Sequence, residues 1–277
     1  MSERAYDAVL LDLDGTLVDD GGQVRPASLH RLRELHERGV RVMIATGRSE
    51  GGAREVIDEL GLDAPALVFN GAGIYCPVEG RLIEERILAD QVVERLVRWC
   101  AVEDMLPVVV GAGAKFALAP RTRFEEEALR YFHDLRIVAP EEISTEYVIR
   151  VTVFSSRQET SRALSQAIEG ELQRPVYITD FPLSWLPQHR DSPLFVADVQ
   201  PPCRGKAEGL RYLEEVYGIP PQRVVAVGDA TNDVPMFEAA GLGVAMANGM
   251  PEARAAADRV IGDNNSDALA ELLDELF

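Results

Sequence analysis

The stretch AVLLDLDGT at residues 8–16 decides the fold, because its character changes at a single point. Ala8–Leu11 is an apolar run without polar alternation, the pattern of a strand buried on both faces. Asp12-Leu13-Asp14-Gly15-Thr16 follows at once, with two carboxylates, a glycine and a hydroxyl. Working outward, Pro26 opens a helix with Leu29, Leu32 and Leu35 at helical spacing and Gly39 as its stop. VRVMIA at 40–45 predicts a second strand, Glu50–Leu60 a second helix closed by Gly61, and LVF at 67–69 a third strand. Strands alternating with helices imply a Rossmann-like parallel sheet covered on both faces, an α/β fold.

The same rhythm returns near the C-terminus. Lys206–Tyr217 predicts a helix ending at Gly218, VVAV at 224–227 a strand, and Asp233–Ala240 a helix ending at Gly241. Val244–Met246 and Arg259–Ile261 predict short strands, and Ala268–Phe277 a last helix. The middle has another texture. It predicts helices at Asp90–Val102, Arg123–Leu135 and Glu159–Leu172. Its strands fall near Leu106–Val110, Lys115–Leu118, Tyr147–Phe154, Val176–Thr179 and Leu194–Val199. Strands in direct succession point to an α+β unit at 78–199, inserted into an α/β unit made of 1–77 and 200–277.

Charge narrows the partners. The 277 residues carry 28 basic and 46 acidic side chains, a net charge of −18. Polyanion binding needs clustered Lys and Arg, so neither nucleic acid nor an anionic membrane is expected. Cys76, Cys100 and Cys203 are distant and odd in number, which suits neither a zinc site nor a disulfide framework. MSERAYD at the start is polar, unlike a secretory signal, and no apolar run approaches the roughly 20 residues of a membrane helix. The expectation is a soluble cytoplasmic protein, monomer or homodimer.

Four strands lead into polar segments: DLDGT at 12–16, Thr46-Gly47-Arg48, Asn70-Gly71, and GDATND at 228–233. Open parallel sheets bind ligands beyond the carboxyl ends of their strands, so these segments are expected to converge. Lys206, at the start of a helix, joins them. Gathered carboxylates repel one another, and a hard cation relieves that. Oxygen donors without His or Cys favour magnesium over zinc. A phosphoryl group is the matching guest, since its transfer needs alignment and charge neutralisation. A carboxylate can attack phosphorus. A second one two residues on, on the same side of an extended strand, can protonate the leaving oxygen and then deprotonate water.

DLDGT at 12–16, ATGR at 45–48, Lys206 in RGKAEGL and GDATNDVPMF at 228–237 resemble, in order, the four motifs of the haloacid dehalogenase superfamily. The resemblance implies Asp12 as nucleophile and Asp14 as general acid/base. It implies a phosphoryl site of Thr46, Lys206, Asn232 and the backbone N–H groups of Leu13 and Gly47. Magnesium would be held by Asp12, the Asp14 carbonyl and Asp229, with Asp233 supporting the shell. NGA at 70–72 and AGLGVAMANG at 240–249 resemble the Cof-type, class IIB subgroup of sugar and nucleotide phosphatases, whose cap is of C2B type. NNSDALAELL with Ala268 departs from that subgroup, which usually has a glycine there.

The resemblance implies a magnesium-dependent phosphatase of small phosphomonoesters, acting through an aspartyl phosphate, with a phosphomutase or a non-catalytic module as alternatives. Arg48 reads equally as a substrate contact or an ion-pair partner, and Asn70 and Gly71 as substrate contacts or turn residues. His30, His36 and His133 read as surface residues, Trp99 and Trp185 as packing. His189 and Arg190 are the candidates for contact with substrate from the inserted unit.

Overall fold

The computed structural model describes residues 5–111, 114–132 and 134–277, so His133 and the first four residues lie outside the described residues. The chain falls into two compact units, one running to Glu85 and resuming at Arg204, the other Arg86–Cys203.

The first unit opens with β1 (Ala8–Leu11), α1 (Pro26–Glu37), β2 (Arg41–Ile44), α2 (Glu50–Leu60), β3 (Ala66–Val68), β4 (Gly73–Cys76) and β5 (Arg81–Glu85). Local chemistry sets these limits. Pro26 starts α1 at a position where its missing N–H costs nothing. The Ser49 hydroxyl caps α2 by accepting from the Gly52 N–H, and left-handed Gly61 ends it. β5 was not foreseen: it is a hairpin partner of β4, which places the division after Glu85 instead of at residue 78.

The second unit contains α3 (Asp90–Val102), β6 (Leu106–Gly111), β7 (Ala114–Ala117), α4 (Arg123–Leu129), β8 (Leu135–Ile137), β9 (Val148–Ser155), α5 (Ser161–Leu172), β10 (Tyr177–Pro182) and β11 (Phe195–Gln200). The helix expected over 123–135 stops at Leu129, and Leu135 begins a strand instead. Six strands form one sheet in the order β10-β11-β9-β6-β7-β8. Val109, Val151, Val153, Ala197 and Val199 meet apolar residues of α3 and α5 in a single core, with Trp99 packed against it. Strand alternation sends Arg150, Thr152, Asp198 and Gln200 to the other face.

The first unit then resumes with α6 (Glu208–Tyr217), β12 (Val224–Gly228), α7 (Val234–Ala239), β13 (Leu242–Met246), α8 (Pro251–Ala256), β14 (Arg259–Ile261) and α9 (Ala268–Leu276). Its main sheet has the order β14-β13-β12-β1-β2, with every pairing parallel. β1 sits inside it with all four side chains fully buried, as an unalternating apolar run requires. β3 meets this sheet through the bridge Ala45–Leu67 and pairs with β4 in a separate three-stranded sheet.

Candidate active site

β1 delivers Asp12 and β12 delivers Asp229, adjacent parallel strands whose carboxyl ends stand side by side. Asp12, Asp229 and Asp233 are buried, with carboxylate oxygens within 4.8 Å of one another. The Lys206 ammonium, 1% exposed, donates to Asp12 Oδ1 at 2.5 Å and to Asp233 Oδ1 at 2.6 Å. Lys206 lies in the 3-10 turn Gly205–Ala207 that leads into α6. Asp233 Oδ2 accepts from the N–H groups of Asp229 at 2.8 Å and Ala230 at 2.9 Å. Both Asp233 oxygens are thus occupied by protein donors, which makes Asp233 the brace of the cluster.

Burial dominates the electrostatics. It pushes the Asp12 carboxyl up to about 7 against the pull of Lys206, with Asp233 and Asp14 adding repulsion. Burial likewise holds Asp229 well above the usual carboxylate range, with Asp12 and Asp233 contributing. Burial alone would lower the Lys206 ammonium, but Asp12 and Asp233 outweigh it and hold Lys206 charged. Three carboxylates facing one ammonium leave two uncompensated negative charges when all are ionised. An all-oxygen donor set with that deficit fits a hard divalent cation.

Gly15 makes the crowding possible. Its φ is +76°, and a Cβ there would lie 2.3 Å from Asp229 Oδ2. The turn begins at Leu13, whose carbonyl accepts from the Thr16 and Leu17 N–H groups, and the strand expected to set Asp12 and Asp14 on one side ends at Leu11. Asp12 is buried, whereas the Asp14 side chain is 56% exposed and forked onto Arg48. Arg48 is thus an ion-pair partner of Asp14.

The remaining predicted residues gather beside β2 and β3. Thr46 is fully buried and its Oγ1 accepts from the Arg48 N–H at 3.1 Å. Asn70 is left-handed, φ +49°, and its Oδ1 accepts from Asn232 Nδ2 at 2.9 Å. Gly71 has φ +102°, and a Cβ there would meet the Gly205 carbonyl oxygen at 2.3 Å, so the NGA turn and the lysine turn touch backbone to backbone. A Cβ on Gly47 would lie 3.1 Å from Asn70 Oδ1. The Leu13 side chain is buried, which leaves only its backbone for a polar role. Buried Thr16 Oγ1 and Asn232 Oδ1 have no hydrogen-bond partner among the described residues.

Sequence reading missed the support for the turn after β1. Asn248 Nδ2 donates to the Gly15 carbonyl at 2.8 Å, and its Oδ1 accepts from the Asn264 N–H at 3.0 Å. Buried Asn264 donates from Nδ2 to the Val18 carbonyl at 3.0 Å. The segment that departs from the subgroup's glycine thus has a structural task. In the second unit, His189 is buried with its ring edge-on to Tyr131 at 4.9 Å, and burial lowers its pKa.

A family model for haloacid dehalogenase-like hydrolases matches residues 9–273. The chain belongs to the haloacid dehalogenase-like hydrolases. A 5-amino-6-(5-phospho-D-ribitylamino)uracil phosphatase of Bacillus subtilis is 28% identical over 100% of this chain and 99% of its own. A phosphoglycolate phosphatase of Methanopyrus kandleri is 30% identical over 97% of this chain and 96% of its own. Among solved structures, a haloacid dehalogenase subclass IIB sugar phosphatase superposes with TM-score 0.79 at 22% identity, covering 97% of this chain and 98% of that one. It shares the fold of this haloacid dehalogenase-like hydrolase.

Proposed function

We propose that the chain is a magnesium-dependent phosphatase that moves the phosphoryl group of a small phosphomonoester to Asp12 and then to water. The observation that carries this reading is Lys206 bridging Asp12 and Asp233 beside Asp229, within a match over residues 9–273 to a hydrolase family, with named phosphatases among the relatives. Sugar phosphates and nucleotide or cofactor phosphates are the substrate class, in a cytoplasmic setting.

Asp12 and Asp229, with the Asp14 carbonyl, would hold the cation, and Asp233 would brace them. When bound, the cation would supply neutralisation of charge on the transferring phosphoryl group and on the carboxylates around it. Asp12 attacks phosphorus as the bond to the ester oxygen breaks. Asp14 gives that oxygen a proton. In the second half Asp14 takes a proton from water, whose oxygen bonds to phosphorus as the bond to Asp12 breaks. Lys206 steadies the equatorial oxygens, and Thr46, Asn232 and the Leu13 and Gly47 N–H groups complete the cradle. Acid-quenched single turnover followed by borohydride reduction tests the route. Reduction of Asp12 to homoserine, which traps an acyl phosphate there, supports it, and release of phosphate with Asp12 unmodified at every quench time refutes it.

We further propose that the second unit is a cap, a lid that selects the organic part of the substrate. Supporting this, the face of its sheet opposite α3 and α5 is polar: Arg150 pairs with Asp198 at 3.6 Å and Thr152 donates to Asp198 at 2.5 Å. Gln200 on that face is fully buried, and neither end of its amide has a hydrogen-bond partner among the described residues. A buried amide with both ends unmet is costly unless a ligand meets them.

A further inference from the structure

Arg48 is bound on every side. Its N–H donates to Thr46 Oγ1, and its carbonyl accepts from the Phe69 N–H at 2.9 Å. From the side chain, Nη1 donates to the Gly52 carbonyl at 3.1 Å, in the first turn of α2. The remaining edge of the guanidinium forks onto Asp14, with Nε to Oδ2 at 2.9 Å and Nη2 to Oδ1 at 2.5 Å. Such a fork fixes the plane of a carboxylate as well as its place. With the partners 30% and 56% exposed, solvent screens the charge attraction, and what the fork adds is chiefly alignment of the carboxylate. Asp14 stays outside the buried cluster, and Arg48 is the only side chain shown holding it among the described residues.

We propose that Arg48 is the positioning residue of Asp14: it aims the acid/base carboxylate and releases one oxygen of it for each proton transfer. This rests on the phosphatase reading above. An oxygen that carries a proton for the leaving group cannot also face a guanidinium hydrogen, so one arm of the fork opens while the other keeps the group aligned. The anchor at Gly52 lets the guanidinium swing without losing its place. Arg48 thus acts on the reaction through Asp14 and has no separate hold on the phosphoryl group.

The test is a double-mutant cycle read as kcat/KM on two aryl esters, phenyl phosphate and 4-nitrophenyl phosphate, with magnesium present. They differ in how much proton help the departing phenol needs. Arg48→Gln is expected to lower the phenyl phosphate value by roughly 10- to 100-fold, the range for misaligned general acid catalysis. The 4-nitrophenyl phosphate value should fall by only about threefold, its phenolate needing less of that help. In the Asp14→Asn background, Arg48→Gln should change neither. Equal losses on both esters, or losses that multiply with those of Asp14→Asn, would overturn the inference and make Arg48 a phosphate or substrate contact. If Asp14→Asn itself left the ratio of the two esters unchanged, the acid role of Asp14 would fall first, and the inference with it. Arg48→Lys keeps the charge without the fork, and should show the same pattern at smaller amplitude; thermal melting checks the fold of each variant. Should Arg48→Gln melt early, Arg48→Lys completes the cycle, and additivity there overturns the inference equally.

Discussion

The strand ends around Asp12 and the polar face of the second unit's sheet are built in opposite ways. At the strand ends the backbone leaves the sheet, so neighbouring residues such as Asp12 to Gly15 or Gly228 to Asp233 all serve one site. On the sheet face only alternate residues arrive, Arg150 with Thr152 and Asp198 with Gln200, from strands far apart in sequence. The first region is densely bonded, with Lys206 on two carboxylates and Asp233 on three donors. In the second, neither end of the Gln200 amide has a partner among the described residues. Groups that satisfy one another are fixed in place, whereas unmet ones, Gln200 on the sheet face and Thr16 Oγ1 and Asn232 Oδ1 at the strand ends, keep hydrogen-bonding capacity to offer.

The sharpest way to break this contrast is at the nucleophile. Asp12→Asn should keep the fold and lower turnover by about 10³-fold or more, as removal of a covalent catalyst does. Retention of most activity would dissolve the distinction, since the bonded cluster would then be scaffold. Lys206→Met should cost about 10²- to 10³-fold through lost stabilisation of the transferring group. In that variant Asp12 and Asp229 lose their one buried cation.

Acidity offers a subtler probe of the same region. Asp12 is raised to about 7 in the folded chain from an ordinary 3.8, so its ionisation opposes folding. The sign follows: the metal-free fold is favoured at low pH, and that advantage is lost as pH rises from about 4 through about 7. The melting temperature of chelator-treated protein should fall over that interval, and the increment restored by magnesium should grow. An increment independent of pH would mean that the carboxylates are not where the cation binds. Chelation should also abolish hydrolysis of an aryl phosphate.

The smallest effect belongs to the second unit. Gln200→Leu should shift the ranking of a panel of phosphorylated sugars and nucleotides by roughly 5- to 10-fold, the scale of one lost hydrogen bond. It should leave a small aryl phosphate nearly unchanged. Uniform loss across the panel would sink the division of labour.

The same contrast explains what could be read in advance. Asp12, Thr46 and Asp229 were legible because turns after parallel strands compress a site into short contiguous words, and Lys206 through the motif around it. Gln200 was not, because a lone glutamine in an alternating strand carries no signal until its neighbours are known. β5 escaped for a related reason: RLIEE alternates too weakly to declare a strand, and its pairing with β4 supplies the order. The helix expected through 135 failed where a helical spacing of apolar residues continued past the real end at Leu129. Asn264 carried no signal of its own, and its bond to Val18, 246 positions away, gives it a purpose.

The position of β1 bears on synthesis as well as on chemistry. It lies between β2, made just after it, and β12, whose first residue is Val224. A chain growing from the ribosome must therefore carry one bare, wholly apolar edge of β1 while all of the second unit is being made. Unpaired apolar edges recruit other chains. Fragments that stop short of Val224 should aggregate, and those that include β12 should stay dispersed. Asp12 is made long before the groups it meets, because Lys206, Asp233 and β12 all follow the second unit in the chain.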